Sequence, residues 1–192
     1  MTIPKAKACI GMCLCLALSM FALGQEKREQ NTSKSCGAFV GRFYTWYVAI
    51  AVRHNRLPES DLALKSKPYL FSPDLIQQLR EDTEAQEKAG SDLVSLDADP
   101  FVGADGPAER YAVEKITIKD GRCWAEVHGV WEGKQSETPD VTPELVLKGG
   151  RWLFVNFYFP SPSDPKAWNL LDALDADREL RKKFGRGNVK RP

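Results

Sequence analysis

The residues of this sequence that could bind a small molecule are aromatic side chains with polar tips. They fall at positions 46–47, 111 and 152–158, and one amide side chain lies among them. Such a set can bind an apolar ligand and orient it with one or two hydrogen bonds. A packed core whose polar tips bond internally is the alternative. The predicted ligand-binding residues are Trp46, Tyr47, Tyr111, Trp152, Asn156 and Tyr158.

Other site chemistries find little support in the sequence. After the first 25 residues the chain has two histidines, His54 and His128, and two cysteines, at spacings unlike those of zinc sites. The sequence has no Gly-x-Ser-x-Gly elbow, no phosphate loop and no His-Glu-x-x-His motif. With 27 basic and 26 acidic residues, it also lacks the cationic excess of a nucleic-acid binder. We therefore expect no metal, no cofactor and no nucleic-acid partner.

The first 24 residues have the pattern of a secretory signal peptide. Lys5 and Lys7 precede an apolar stretch, Ala8–Leu23, that ends in small residues suited to a signal peptidase. The stretch is shorter than the roughly 20 residues that cross a bilayer as a helix. We expect export with cleavage, and the alternatives are an uncleaved membrane anchor and a lipoprotein. The expected destination is the periplasm of a Gram-negative bacterium. No stable membrane span is expected to remain after cleavage.

Removal of this segment leaves Cys36 and Cys123 as the cysteines of the mature chain. An oxidising compartment would allow the two to pair, and the alternative is a small buried apolar side chain at each site. Residues 25–35 are polar and too poor in apolar side chains to pack. This stretch is predicted to be a flexible lead.

Two helices are predicted before any strand. Between residues 36 and 55, apolar residues recur with helical spacing and form one face that belongs in a core. After a connection that contains proline, Ser72-Pro73-Asp74 supplies a cap residue, a proline suited to the first turn and an early acid. Gly90 is predicted to end this second, amphipathic helix.

Four strands with a period of two follow. Their predicted bounds are Glu109–Ile118, Arg122–Trp131, Val141–Lys148 and Arg151–Phe159. Asp120-Gly121 and Gly149-Gly150 fit two-residue hairpin turns. The first strand changes its apolar parity, which predicts a bulge. In the second strand the alternation directs His128 to a polar, solvent-side face, and in the fourth both faces are apolar.

These elements predict an α+β domain over residues 36–162, with two N-terminal helices on an antiparallel sheet of at least four strands. Asp164-Pro165 is predicted to start a last, peripheral helix, so that residues 163–192 form a C-terminal helix and a basic tail. Residues 178–192 hold seven Lys or Arg and one acid. A cationic helix end with a solvated terminus accounts for that charge, and binding to anionic polymers is the alternative.

Several motifs resemble the bacterial domain-of-unknown-function family 3828. They are Phe39-Val40-x-x-Phe43-Tyr44-x-Trp46-Tyr47, Leu96-Asp97-x-Asp99-Pro100-Phe101, Glu109-Arg110-Tyr111 and Gly149-Gly150-Arg151-Trp152-x-Phe154-Val155-Asn156-Phe157. That family is similar to the nuclear transport factor 2-like superfamily, in which a curved sheet wraps helices into a cone with a pocket. The resemblance therefore implies curvature and a pocket in residues 36–162.

The same resemblance implies where catalysis would occur, because enzymes of that superfamily commonly use an Asp or a His in the pocket. The matching candidates are Asp97, Asp99 and His128, with Tyr111 beside them. Aspartates next to proline in a loop also commonly bond turn backbone, and a histidine on a polar face is usually solvated. No catalytic residue is assigned from the sequence.

The function predicted from these observations is an exported, noncatalytic binding module. It would hold a small apolar ligand in the cone, or an envelope protein on the sheet. A periplasmic enzyme with Asp97 or Asp99 as general base is the first alternative, and an inhibitor or immunity-type protein is the second. A homodimer through the sheet stays open.

Overall fold

The computed structural model describes the backbone of residues 10–51, 58–89, 96, 98–104, 106–161 and 164–185. Side chains are described for residues 30–51, 58–88, 96, 98–104, 106–159 and 168–183. Within these ranges the protein has the predicted α+β fold. The helices are α1 (Ile10–Ala51), α2 (Glu59–Ser66), a 3-10 helix (Pro68–Leu70), α3 (Pro73–Ala89) and α4 (Leu170–Gly185).

The strands form one antiparallel sheet against which the N-terminal helices pack. Their order is β1-β2-β4-β5-β6, and the short β3 pairs with β2. The bounds are β1 (Arg110–Lys119), β2 (Arg122–Trp131), β3 (Lys134–Gln135), β4 (Thr142–Lys148), β5 (Arg151–Ser161) and β6 (Asp164–Asn169).

Turn chemistry fixes both predicted hairpins. Asp120 and Gly121 have positive φ angles of 49° and 74°, and Gly149 and Gly150 have angles of 58° and 75°. Residues with little steric penalty at positive φ are needed here because these turns match the twist of the strands. The predicted bulge in β1 is confirmed as a shift in register between Val113 and Ile116.

The continuous helix α1 includes residues 25–35, where the sequence predicts a flexible lead. Its Glu, Lys, Gln and Arg residues are good helix formers, so a stretch that cannot pack can still be helical. At the end of this stretch, Ser35 Oγ accepts a hydrogen bond of 3.0 Å from Trp152 Nε1 of the folded body. The division of the chain at residue 24 stays a prediction.

Among the described residues, no helix combines the length and apolarity needed to cross a bilayer. A disulfide joins Cys36 of α1 to Cys123 of β2, and both residues are fully buried. Disulfides persist in oxidising environments, so this bond is typical of an extracytoplasmic protein.

The capping prediction for α3 is confirmed, because the helix begins at Pro73 and Ser72 Oγ accepts the Leu75 N–H at 3.2 Å. The connection before it contains the two-turn helix α2, which was not predicted. The apolar stripe of α2 is too short to show a helical period in the sequence, and only Ala63 and Leu64 of this helix are buried.

The predicted start of the last helix at Asp164-Pro165 is wrong. Asp164–Asn169 is strand β6, which pairs with the end of β5, and the Trp168 ring packs 4.4 Å from that of Phe159. The helix α4 begins at Leu170, where Asn169 Oδ1 accepts the Asp172 N–H at 3.1 Å. Pairing with β5 therefore outweighs the local cap-and-proline signal.

The side chains of β5, which are apolar on both faces, do not alternate regularly along the whole strand. Its pairing with β4 shifts in register between Glu144 and Leu145, opposite Asn156 and Phe154. The shift changes the parity of the strand, so that Phe154 and Phe157 are both fully buried and their rings stack 5.2 Å apart. A local irregularity thus turns more of the strand's aromatic side chains toward one core.

Reduction of the disulfide tests the link between α1 and β2. The bond closes a loop with a sequence separation of 87 residues. Loop-closure entropy predicts that its loss lowers the free energy of unfolding by about 4.6 kcal/mol. Urea unfolding with and without reductant measures the change, and the double variant Cys36→Ala/Cys123→Ala is the control that reductant should leave unaffected. An identical wild-type midpoint in both conditions would contradict the prediction.

Candidate functional site

The six predicted ligand-binding residues lie in or around one aromatic core, but each has its own protein partner. Tyr47 is fully buried, and its hydroxyl donates a short hydrogen bond to Asp99 Oδ2. Trp46 is half-buried, and Lys67 Nζ lies 4.3 Å from its ring centroid. Tyr47 therefore contacts the loop that contains Asp99, and Trp46 contacts the cation of Lys67.

Tyr111 and Trp152 are held in the same way. The Tyr111 hydroxyl accepts the Ala108 N–H at 3.1 Å, and its ring packs 4.8 Å from Tyr44. Burial raises the pKa of Tyr111 to about 12. The Trp152 N–H bonds to Ser35, as described above. Both polar tips are thus engaged within the protein.

Asn156 and Tyr158 complete the set on β5. Asn156 Nδ2 donates to Asn169 Oδ1 at 3.0 Å, and its Oδ1 accepts the Leu171 N–H at 3.2 Å. The Tyr158 hydroxyl donates to Glu144 Oε2 at 2.9 Å. The buried amide therefore connects β5 to the start of α4, which is a structural use of its hydrogen-bonding groups.

Phenylalanine rings fill the space between α1 and the sheet. Phe43 is the centre of this cluster, with its ring centroid 4.7 Å from that of Phe154 and 5.4 Å from that of Tyr47. Phe71 and Phe101 stack on each other at 5.0 Å and meet Phe43 edge to face. This packing favours a filled interior over a ligand cavity among the described side chains.

Asp99 organises the loop that follows it. Its Oδ1 accepts the Phe101 N–H at 2.8 Å, and its Oδ2 accepts the Tyr47 hydroxyl. Tyr44 binds the same loop, because its hydroxyl donates to the Phe101 carbonyl at 2.8 Å. Two tyrosines three positions apart on α1 therefore fix this loop. Asp97 lies outside the described residues.

The electrostatics of this pair follow from burial. Desolvation raises the pKa of Asp99 to about 6, although the bonds from Tyr47 and the Phe101 N–H oppose the shift. Burial and the nearby Asp99 charge raise the pKa of Tyr47 far above its ordinary value. The pKa of Asp99 thus lies near neutrality, and each of its two oxygens accepts a hydrogen bond.

Asp99 also borders a cleft of about 310 Å³ between α2, α3 and its own loop. Three further carboxylates line it: Glu59, Asp61 and Asp82. The buried Asp82 pairs with Arg181 of α4 at 2.5 Å, and burial raises the pKa of Asp61. In the part of the chain that the structure describes, no group of three ligands could hold a metal ion.

His128 lies elsewhere in the fold, and the prediction that it faces solvent is wrong. Only 4% of its surface is exposed, because the segment after β3 folds over it. Its Nδ1 lies 2.9 Å from the Ser136 carbonyl and its Nε2 lies 3.8 Å from Glu114 Oε2. The carbonyl requires a proton on Nδ1, so His128 and Asp99 have different partners and do not form a pair.

A surface feature that the sequence analysis missed is a groove of about 720 Å³ between the 3-10 helix, α3 and the start of β5. Its apolar side chains are Pro68, Tyr69, Phe71, Pro73, Ile76 and Leu153. Tyr69 is 57% exposed there. The signal in the sequence is the run Pro68-Tyr69-Leu70-Phe71, which is more apolar than a connection between two surface helices requires.

The loop after Asp99 depends on a glycine at position 103. Gly103 has a φ of 68°, and a Cβ there would lie 2.3 Å from the Phe159 ring. We expect Gly103→Ala to lower the free energy of unfolding by about 2 to 4 kcal/mol through strain and overpacking. Gly150→Ala is the matched control, since its φ is 75° and a Cβ would meet nothing within 4 Å. Equal losses in urea unfolding would contradict the close approach to Phe159.

Titration of Asp99 predicts how stability depends on pH. Its folded-state pKa of about 6 exceeds the ordinary 3.8, so its contribution is complete below pH 3.8 and is lost as the pH rises through 6. The loss should approach about 3 kcal/mol. We expect urea unfolding of the wild type between pH 4 and pH 7 to show this decline, and Asp99→Asn to lack it.

Tyr47→Phe is the companion variant for that titration. It removes a donor that stabilises the Asp99 carboxylate, so the folded-state pKa should rise and the decline in stability should extend to higher pH. The same pH profile of stability in the wild type, Asp99→Asn and Tyr47→Phe would contradict the assignment of this decline to Asp99.

Comparison with known proteins does not identify a family. No family model, no curated protein and no solved structure matches this chain significantly. The helices and the antiparallel sheet are compatible with the nuclear transport factor 2-like superfamily. The fold class is therefore α+β, and the resemblance to family 3828 stays a prediction.

Proposed function

We propose that this protein is an exported, noncatalytic binding module that takes a protein partner on its surface. The observation that carries the proposal is the filled aromatic interior, in which Phe43 contacts Phe154, Phe101 and Phe71. A small ligand in the cone would have to displace these rings. Recognition is therefore assigned to the exterior, where the protein has exposed apolar side chains.

The proposed compartment is the periplasm of a Gram-negative bacterium. The N-terminal segment carries a signal-peptide pattern, and the buried disulfide between Cys36 and Cys123 suits an oxidising environment. Within this proposal the domain is a member of the nuclear transport factor 2-like superfamily whose pocket is filled.

The groove that contains Tyr69 is the proposed binding surface. An exposed tyrosine on an apolar floor, with arginines at the margin, has the composition of residues that dominate protein interfaces. The polar cleft beside Asp99 is a weaker candidate for a protein partner because carboxylates are depleted from interface centres.

A periplasmic enzyme with Asp99 as general base is the second candidate, favoured by the pKa of about 6 beside an open cleft. The bonds from Tyr47 and Phe101 count against it, since both stabilise the carboxylate and so lower its basicity. Asp99→Asn separates the two functions, because it would abolish catalysis and leave binding at the groove intact.

Site-specific crosslinking in the exporting cell tests the proposal. A benzophenone amino acid at position 69 should give one discrete protein adduct on irradiation. The same amino acid at position 131 is the matched control, because Trp131 is an exposed aromatic residue, 47% accessible, that does not line the groove. Absence of an adduct at position 69, or equal adducts at both positions, would overturn the assignment of the groove. A small molecule that copurifies and is released only on denaturation, as measured by native mass spectrometry, would overturn the filled interior.

A further inference from the structure

The floor of the groove is apolar and belongs to three separate elements. The 3-10 helix contributes Tyr69, α3 contributes Ile76, and β5 contributes Leu153. The buried Phe71 ring lies beneath them and stacks within the core. This floor is supported by the core, so it needs no rearrangement to accept apolar side chains of a partner.

The acidic side chains at the margin of the groove form salt bridges within the protein, whereas the arginines there form none with the residues that the structure describes. Glu81 pairs with Arg178 at 3.3 Å, and Glu84 pairs with Lys88 at 3.4 Å. No salt bridge among the described residues includes Arg80 or Arg151, which are both exposed. The acids of the margin thus have internal cations, whereas its two arginines are available to carboxylates of another molecule.

The backbone of β5 offers a third kind of contact. The first pair of the β4–β5 hairpin is Lys148 and Arg151, so the alternate residues Trp152 and Phe154 direct their N–H and C=O groups away from β4. The Ser72 N–H donates to the Phe154 carbonyl at 2.8 Å, which confirms this direction. Apart from the bridge between Phe71 and Phe154, described strand pairing on that side begins only at Tyr158.

We infer that the groove binds an extended segment of a partner protein in which acidic and apolar side chains alternate. This inference rests on the proposed function and adds the chemistry of the partner. The apolar side chains contact Tyr69, Ile76 and Leu153, while the carboxylates pair with Arg80 and Arg151. Backbone groups of the segment bond to Trp152 at the open edge of β5, as in strand addition.

Two other occupants are less complementary. The chain's own last residues, 186–192, contain Arg186, Lys190 and Arg191 and no acid, so their charge repels the arginines of the groove. A second copy of the chain would have to present an acidic and apolar strand. The edge strand β1 instead carries Arg110, Lys115 and Lys119 among its charged residues.

Binding of synthetic peptides tests the inference on the mature protein. The probe is a fluorescent peptide of about ten residues that alternates Glu or Asp with Leu, Ile or Val. The comparison peptide has Lys in place of every acid. We expect the acidic peptide to bind at least about tenfold more tightly in fluorescence anisotropy. Equal affinity for the two peptides, or binding of neither, would overturn the inference.

Charge reversal localises the binding. Arg80→Glu/Arg151→Glu should remove the preference for the acidic peptide and favour the Lys peptide. Arg110→Glu/Lys119→Glu is the matched control, since it reverses two exposed charges on β1 and should leave the preference unchanged. Equal loss in both double variants would show a general charge effect and overturn the inference.

The crosslinked adduct separates this inference from the proposed function. An adduct at position 69 that persists in Arg80→Glu/Arg151→Glu would overturn the acidic partner and leave a protein-binding module. An adduct of twice the chain mass would identify a second copy, and stronger peptide binding after truncation at Gly185 would identify the tail; either result overturns the inference. Loss of the adduct in the variant at unchanged thermal stability supports it.

Discussion

The contact between the aromatic face of α1 and the strand β5 is the interaction on which the rest of the structure depends. Phe43 lies at its centre and also meets Phe71 and Phe101, so one ring joins the helix to the sheet, to the segment before α3 and to the loop after Asp99. The disulfide joins the same helix to β2. Displacement of α1 would therefore disturb every layer of the domain at once, because close-packed interiors transmit such strain.

An interior built from tyrosine as well as phenylalanine constrains the surrounding loops. Buried hydroxyls need partners, and those of Tyr44 and Tyr47 find them in Phe101 and Asp99. Asp99 is half-buried as a result, and its desolvation raises its pKa although each of its oxygens accepts a hydrogen bond. Most of the candidate site residues predicted from the sequence are thus hydrogen-bonded to other groups of the protein.

Turn and cap residues correctly predicted the elements whose structure depends on a few neighbouring residues. Sequence patterns failed where contacts between distant parts of the chain determine the structure. The turn at Asp120-Gly121 and the cap at Ser72 follow from backbone and hydrogen-bonding preferences of a few residues. The strand β6 follows from pairing with β5, and the burial of His128 follows from a segment that folds over it. Periodicity along the chain carries no information about either contact. For the same reason the groove was missed, since three separate elements form it.

The position of the groove follows from the unequal pairing of β5. Its second half lies between β4 and β6. Its first half has β4 on one side and, among the residues that the structure describes, only a bridge to Phe71 on the other. An open edge beside an apolar surface is a risk of aggregation, which proteins commonly reduce with charge. Arg151 at the start of the strand and Arg80 on α3 supply that charge and repel cationic strands. Under the proposed function, the two arginines that protect the edge against indiscriminate pairing also select for an acidic segment, so protection and recognition would have the same physical origin.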